Sequence, residues 1–191
     1  MIAGILLAAG SGTRFGGPKL LHRLPGGVPI GLTALRNLAA ALPQLVIVVR
    51  PGDEELRQLL AREAVRVVEC AEAERGMGHS LAAGVAAEGD AEAWVIALAD
   101  MPRIRPDTIG AVARALQQGA ELVVPVFAGR RGHPVGFGRR FRDQLLALSG
   151  DSGARAIVNA NPAVLHALEV DDPGVVEDVD TPADAERLAR S

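Results

Sequence analysis

Residues Gly10-Ser11-Gly12-Thr13-Arg14-Phe15-Gly16-Gly17-Pro18-Lys19 follow directly on an apolar run, Ile2–Ala8, and Ala9. A loop whose backbone N–H groups point inward can hold phosphate, and glycine permits both the dihedrals and the close approach. Arg14 would add a planar fork for phosphate oxygens, and Lys19 a point charge for a second phosphate. The structural alternative is a surface turn with two solvated basic side chains. Two acidic positions lie far away in sequence. Asp100 ends the apolar run Ala93–Ala99, so its carboxylate must face something polar. Asp180 stands before Thr181 and Pro182, where Asp180 or Thr181 would equally serve as the cap of a helix with proline in its first turn.

Two familiar phosphate motifs fail on their residues. A dinucleotide fingerprint counted from Gly10 and Gly12 needs glycine where Phe15 stands, and no acidic residue lies between Ala8 and Asp53 to take a ribose hydroxyl. A P-loop needs Gly-Lys-Ser/Thr, whereas Lys19 follows Pro18 and precedes Leu20. Among the remaining reactive side chains, His133 lies in Arg130-Arg131-Gly132-His133-Pro134, where it either faces a ligand or stabilises a turn. His22, His79 and His166 read as surface or cap residues, Glu72–Arg75 as a solvated loop, and Cys70 as a core residue.

These groups need a scaffold, and the hydropathy pattern supplies one. Short apolar runs at Ile2–Ala8, Leu45–Val49, Val65–Val68, Ala93–Ala99, Glu121–Val126 and Leu165–Val170 read as strands. Between them, amphipathic helices are expected at Ile30–Leu42, Glu54–Arg62, Gly76–Ala87, Pro106–Gln118, Arg139–Leu148 and Gly153–Asn159, with a last one over Thr181–Arg190. Phe127–Phe137 is glycine-rich and expected as a hairpin, and Val175–Val179 as a short extended piece. Strands alternating with helices predict a three-layer α/β/α sandwich around a mostly parallel, Rossmann-like sheet, in one domain over residues 1–191. Ligands of such sheets sit at the carboxyl ends of strands, where the glycine loop, Asp100 and Asp178–Asp180 all fall.

The composition bounds the partners. With a net charge of −3 and only 3% aromatic residues, the chain lacks the basic surplus and stacking residues of a nucleic-acid binder. No apolar stretch is long enough to cross a bilayer. The apolar N-terminus has no positive flank and runs into a basic loop instead of a cleavage site, and the single cysteine fits a reducing compartment, so a cytoplasmic protein is expected.

The segment Leu7-Ala8-Ala9-Gly10 through Lys19 resembles the signature Leu-Ala-Ala/Gly-Gly-x-x-x-Arg-x-Gly-x-x-Lys of the nucleotidyltransferases that activate sugar phosphates, isoprenoid precursors and molybdopterin. The resemblance continues through Gly76-Met77-Gly78-His79-Ser80-Leu81, Ala97-Leu98-Ala99-Asp100-Met101-Pro102 and Asp178-Val179-Asp180-Thr181-Pro182-Ala183-Asp184. Gly132-His133-Pro134-Val135 and Gly150-Asp151-Ser152-Gly153-Ala154-Arg155 look like acceptor-side segments of the molybdenum cofactor cytidylyltransferase branch. Phe15, where methionine is common, and Gly26–Leu32 depart from the pattern without removing a charged position.

The resemblance implies a nucleotidyltransferase that moves CMP from CTP to a phosphorylated acceptor of the molybdopterin type. Nucleotide contacts would come from Leu7, Ala8, Ala9, Gly10, Gly12, Thr13, Arg14, Lys19, Gly78 and Ser80, with Arg14, Lys19 and Asp100 catalytic. It also implies Asp100 and Asp180 as ligands of Mg2+, Arg130 and His133 as weaker acceptor contacts, and a transient encounter with a molybdoenzyme. A methyl group at Ala9 takes space that a purine would need, which leans toward CTP; a GTP-dependent relative remains open. So does a non-catalytic nucleotide- or cofactor-binding accessory protein on the same fold.

Overall fold

The computed structural model describes residues 1–10, 12–151 and 153–188, with Thr13 described by its backbone alone. β1 (Ile2–Leu7) is apolar throughout because it lies inside the sheet, between β2 (Leu45–Val49) and β4 (Ala93–Leu98), and is covered on both faces. Both neighbours run parallel to it, and β3 (Arg66–Glu69) extends the parallel half beyond β2. The other half is mixed: β7 (Val135–Gly138) is inserted antiparallel between β4 and β5 (Leu122–Phe127). Among the described residues the sheet reads β3-β2-β1-β4-β7-β5-β6, where β6 is the short Arg130–Arg131, with β8 (Leu165–Glu169) parallel to β5 on its other side.

Alternation along the strands divides the core in two. Leu6, Ile47, Val49, Val95 and Ala97 face one way, toward α1 (Ile30–Ala41), α2 (Glu54–Leu60) and α4 (Pro106–Gln117). Ile5, Leu7, Val46, Val48, Trp94 and Ile96 face the other way, toward α3 (Met77–Ala87), α5 (Arg142–Leu146) and α6 (Arg155–Ala160). This is the predicted three-layer sandwich. With so few aromatic residues the layers approach closely: a side chain at Gly84 of α3 would come 2.6 Å from Ile5 Cγ2. A third, small cluster (Ile30, Val179 and Ala185) docks α7 (Pro182–Leu188) beside the glycine loop, with Phe15 and Leu20 packed against it.

Most expected elements form within two residues of their predicted limits. The expected hairpin at Phe127–Phe137 is interrupted: β5 pairs with β6 (Arg130–Arg131), then Gly132–Pro134 breaks the strand before β7. The break accommodates Val175, whose carbonyl accepts from His133 N at 2.8 Å and leaves no room for a side chain at Gly132. Helix Arg139–Leu148 opens as a 3-10 turn at Arg139–Phe141 before α5. Ala189 and Arg190, the end of the expected last helix, lie outside the described residues.

The extended piece expected at Val175–Val179 is a correction, because Pro173–Val176 is a 3-10 turn. Its cause is Asp172, a buried carboxylate that accepts from Gly174 N, Arg105 N and Thr108 Oγ1 at 3.1, 2.9 and 2.6 Å. That knot ties the 172–180 segment to the start of α4 and directs the following residues along the end of β4. Asp172→Ala should therefore destabilise the protein by about 2–3 kcal/mol, the range for hydrogen bonds to a charged group, seen as a lower urea midpoint at unchanged slope.

Candidate active site

The glycine loop leaves β1 at Ala8 and is shaped by two left-handed residues, Gly12 (φ 61°) and Gly16 (φ 76°), that flank a 3-10 turn at Thr13–Phe15. A side chain at Gly12 would also come 3.1 Å from Gly17 O, so the tight fold of the loop requires glycine there. Phe15 anchors the loop edge-on against His22, with ring centroids 5.1 Å apart. A second 3-10 turn, Lys19–Leu21, then aims Lys19 back at the sheet.

Asp100 emerges beyond the end of β4. Its carbonyl accepts from Val179 N at 2.9 Å, which brings the 178–180 segment alongside. The choice between Asp180 and Thr181 as helix cap is decided by Asp184: its Oδ2 accepts from Asp180 N, Thr181 N and Thr181 Oγ1, while Thr181 Oγ1 accepts from Asp184 N. This is a reciprocal capping box. It satisfies the start of α7 without the Asp180 carboxylate, which turns into the cleft.

There the charges meet. Lys19 Nζ donates to Asp100 Oδ2 at 2.8 Å and to Asp180 Oδ1 at 3.2 Å, and Arg14 Nη1 donates to Asp180 Oδ2 at 2.8 Å. Burial would lower the Lys19 pKa, but the hydrogen bond and charge of Asp100, followed by those of Asp180, outweigh it and hold it above the ordinary 10.5. Asp100 Oδ1 is buried and has no hydrogen-bond partner among the described residues. An orphaned carboxylate oxygen beside a second carboxylate, with an ammonium between them, fits a hard divalent cation. Among the described residues no cluster of three or more His, Cys, Asp or Glu could hold a metal, so two protein oxygens would leave the remaining positions to water and phosphate, the usual arrangement for magnesium.

These groups open into a cleft of about 880 Å³. Of the residues named from the sequence, Leu7, Ala8, Ala9, Gly10, Gly12, Arg14, Lys19, Ser80, Asp100 and Asp180 line it. Gly78 does not. It sits behind the wall, where its N–H donates to Gly150 O at 2.8 Å and a side chain would strike Ser149 at 2.8 Å. Its contribution is close packing, and the same holds for Gly76 (φ 125°), where a side chain would come 2.1 Å from Gly150 C.

Arg130 and His133 are also absent from the cleft wall. Arg130 is exposed on β6. His133 lies nearer the site: its Nδ1 is buried without a partner among the described residues, and burial lowers its pKa against the Ile96 backbone and the charges of Asp100 and Asp178. Sequence reasoning missed Arg50 and Asp53, which line the cleft; Glu74, read as part of a solvated loop, lines it too, as does Asp151 of the segment likened to the acceptor side. Arg50 follows β2 directly, so the rule that directs attention to Asp100, a polar residue at the carboxyl end of a buried strand, also applies to it.

A family model described as a MobA-like NTP transferase domain matches residues 4–166. The chain belongs to the MobA-like NTP transferase family. It is 30% identical over 203 residues to purine catabolism protein PucB of Bacillus subtilis (strain 168), covering 100% of this chain and 97% of that protein. It is 31% identical over 196 residues to nicotine blue oxidoreductase of Paenarthrobacter nicotinovorans, covering 98% and 96%. A crystal structure of Rv0371c from Mycobacterium tuberculosis H37Rv superposes with a TM-score of 0.88 at 30% identity, covering 100% of this chain and 97% of that one. A structure of Rv0371c in complex with manganese gives a TM-score of 0.83 at 29% identity, covering 100% and 98%. The MobA-like domain thus accounts for the glycine loop and Asp100, while Asp180 and its capping box lie beyond the matched residues.

The capping box has a pH signature. The Thr181 hydroxyl, with the Thr181 and Asp180 amides and Arg187 adding to it, holds the Asp184 carboxyl below its usual 3.8. A depressed carboxyl pKa contributes stability that is complete above the unfolded value and disappears as pH falls through the folded one. Asp184→Asn should melt below the native protein at pH 7, and the difference should shrink as the pH drops below about 4. A difference that persists unchanged to pH 3 would show that the charge contributes nothing.

Proposed function

We propose that this MobA-like NTP transferase moves CMP from CTP to a phosphorylated acceptor of the molybdopterin type, releasing pyrophosphate. The observation that carries this reading is the bridging of Asp100 and Asp180 by Lys19 Nζ inside the cleft that the glycine loop borders. Nucleotidyl transfer joins two anions, so the site must offset charge on both. Backbone amides of the Ala9–Arg14 loop would cradle the triphosphate, with Ser11 outside the described residues. Arg14 and Lys19 would meet phosphate oxygens when a nucleotide draws them from the carboxylates. Asp100 and Asp180 would hold Mg2+, which would neutralise charge on the triphosphate and on the leaving pyrophosphate.

The attacking group is the acceptor's terminal phosphate, which forms a bond to the α-phosphorus as the bond to the pyrophosphate oxygen breaks. It is already anionic, so no general base is needed, and positioning with electrostatics supplies the acceleration. The Ala9 methyl group supports a pyrimidine by about 1–3 kcal/mol of shape discrimination. Molybdopterin as acceptor rests on the resemblance of Gly132–Val135 and Gly150–Arg155 to the cytidylyltransferase branch; Arg130 and His133, which that resemblance also implies as contacts, lie outside the cleft wall. On this reading the enzyme works in the cytoplasm and passes its product to a molybdoenzyme.

Lys19→Ala and Asp100→Ala should each lower magnesium-dependent pyrophosphate release about 100-fold or more, the loss typical of removing one preorganised charge-stabilising group. Full activity in both variants sinks the assignment. A thermal-shift panel of the four nucleoside triphosphates with magnesium should rank CTP first, since a ligand at 100 times its Kd stabilises by about 2.7 kcal/mol. Incubation with each triphosphate and molybdopterin, followed by mass spectrometry, should give the CMP adduct. A GMP adduct would replace the proposed donor.

A further inference from the structure

Three residues stand in a row across the carboxyl edge of the sheet. Leu7 pairs with Val48 of β2 and with Leu98 of β4, and the residues two positions onward are Ala9, Arg50 and Asp100. The pairing runs past the strand ends, since Ala8 N donates to Val48 O at 2.8 Å and Ala99 N to Leu7 O at 3.0 Å. All three residues line the same cleft; Ala9 and Arg50 follow strand residues that face α3, and Asp100 stands in the turn where Met101 N donates to Leu98 O at 3.2 Å. Adjacent strands lie about 4.8 Å apart, so Arg50 and Asp100 are separated by about 10 Å with Ala9 between them. A nucleotide with its phosphates at Lys19 and Asp100 would extend along this cleft past Ala9, so that its base meets the Ala9 methyl on one side and the Arg50 side chain at its edge.

Arg50 is built for recognition at that place. Its side chain is 35% exposed, and its Nε forms an ion pair with Asp53 Oδ2 at 3.6 Å. Asp53 is itself fixed as the cap of α2, with Oδ1 accepting from Leu56 N. Among the described residues this is the ion pair of Arg50, and it leaves the Nη1/Nη2 end of the fork to a ligand. A guanidinium fork matches two adjacent acceptors. Cytosine presents such a pair in O2 and N3; uracil replaces the N3 acceptor with an N–H donor. Guanine offers O6 and N7, but the Ala9 methyl beside the row takes purine space.

We propose that Arg50 is the specificity-determining residue for the base and selects cytosine over uracil through a bidentate hydrogen bond to O2 and N3. The inference rests on the nucleotidyltransferase reading and deepens it.

The test is calorimetric binding of CTP and UTP with magnesium and no acceptor, so that nothing turns over. Arg50→Met should weaken CTP about 10- to 100-fold, the discrimination a bidentate pair carries, and UTP less than about threefold. Arg50→Gln, whose amide offers one donor and one acceptor, should shift the preference toward UTP. Arg50→Lys keeps the charge without the fork and should lose the preference while binding both triphosphates, which also covers a Met variant that does not fold. Equal loss of CTP and UTP in Arg50→Met, or full CTP preference in Arg50→Lys, overturns the role of Arg50 and leaves the transferase reading standing. A native protein that binds none of the triphosphates with magnesium overturns both.

Discussion

The ammonium of Lys19 between the carboxylates of Asp100 and Asp180 is the contact on which the rest of the site depends. Two carboxylates that share one ammonium repel each other. Lys19 offsets that repulsion, and in doing so it ties the glycine loop, the end of β4 and the start of α7 to one point. The Lys19 side chain is 13% exposed, so solvent screens the contact only in part. The same arrangement is suited to exchange. On the proposed function, a divalent cation would replace the ammonium at the carboxylates, and the phosphates arriving with it would give Lys19 a new partner.

Around this contact, backbone geometry does most of the positioning. In-register parallel pairing ends at Leu7, Val48 and Leu98, two residues before Ala9, Arg50 and Asp100, so neighbouring strand ends deliver all three to one cleft. Asp180 has no strand to place it. It depends on the Asp172 knot behind it, the hydrogen bond from Val179 N to Asp100 O, and the capping box ahead of it. Each of these satisfies polar backbone groups locally, which leaves the Asp180 carboxylate free to serve the cleft.

The family's sequence signatures carry two kinds of information. Gly12 and Gly16 are needed for their left-handed dihedrals, and Ala9, Arg14, Lys19 and Asp100 stand in the cleft itself. Gly76 and Gly78 belong to the same signatures yet pack against Gly150 and Ser149, Gly76 at the cleft wall and Gly78 behind it. They let the start of α3 approach the 149–151 loop closely enough to bring Met77 and Ser80 to the cleft. A motif glycine can therefore shape a site without facing its ligand.

The sequence by itself determined the layers and most of the elements, because unbroken apolar runs such as Ile2–Leu7 and Ala93–Leu98 are stable only between two covering layers of helices. It also determined that the glycine loop and Asp100 fall at strand ends, since both follow such runs directly. The local box with Asp184 gives the cap of α7 to Thr181, and tertiary structure decided where the Asp180 carboxylate goes instead, because its partners Lys19 and Arg14 lie more than 160 residues away in sequence. It decided that Pro173–Val176 turns, because the partners of Asp172 at Arg105 and Thr108 lie more than 60 residues away in sequence. It also decided that Arg50 belongs to the site. A lone arginine after a strand resembles any solvated surface charge until strand register places it in line with Ala9 and Asp100.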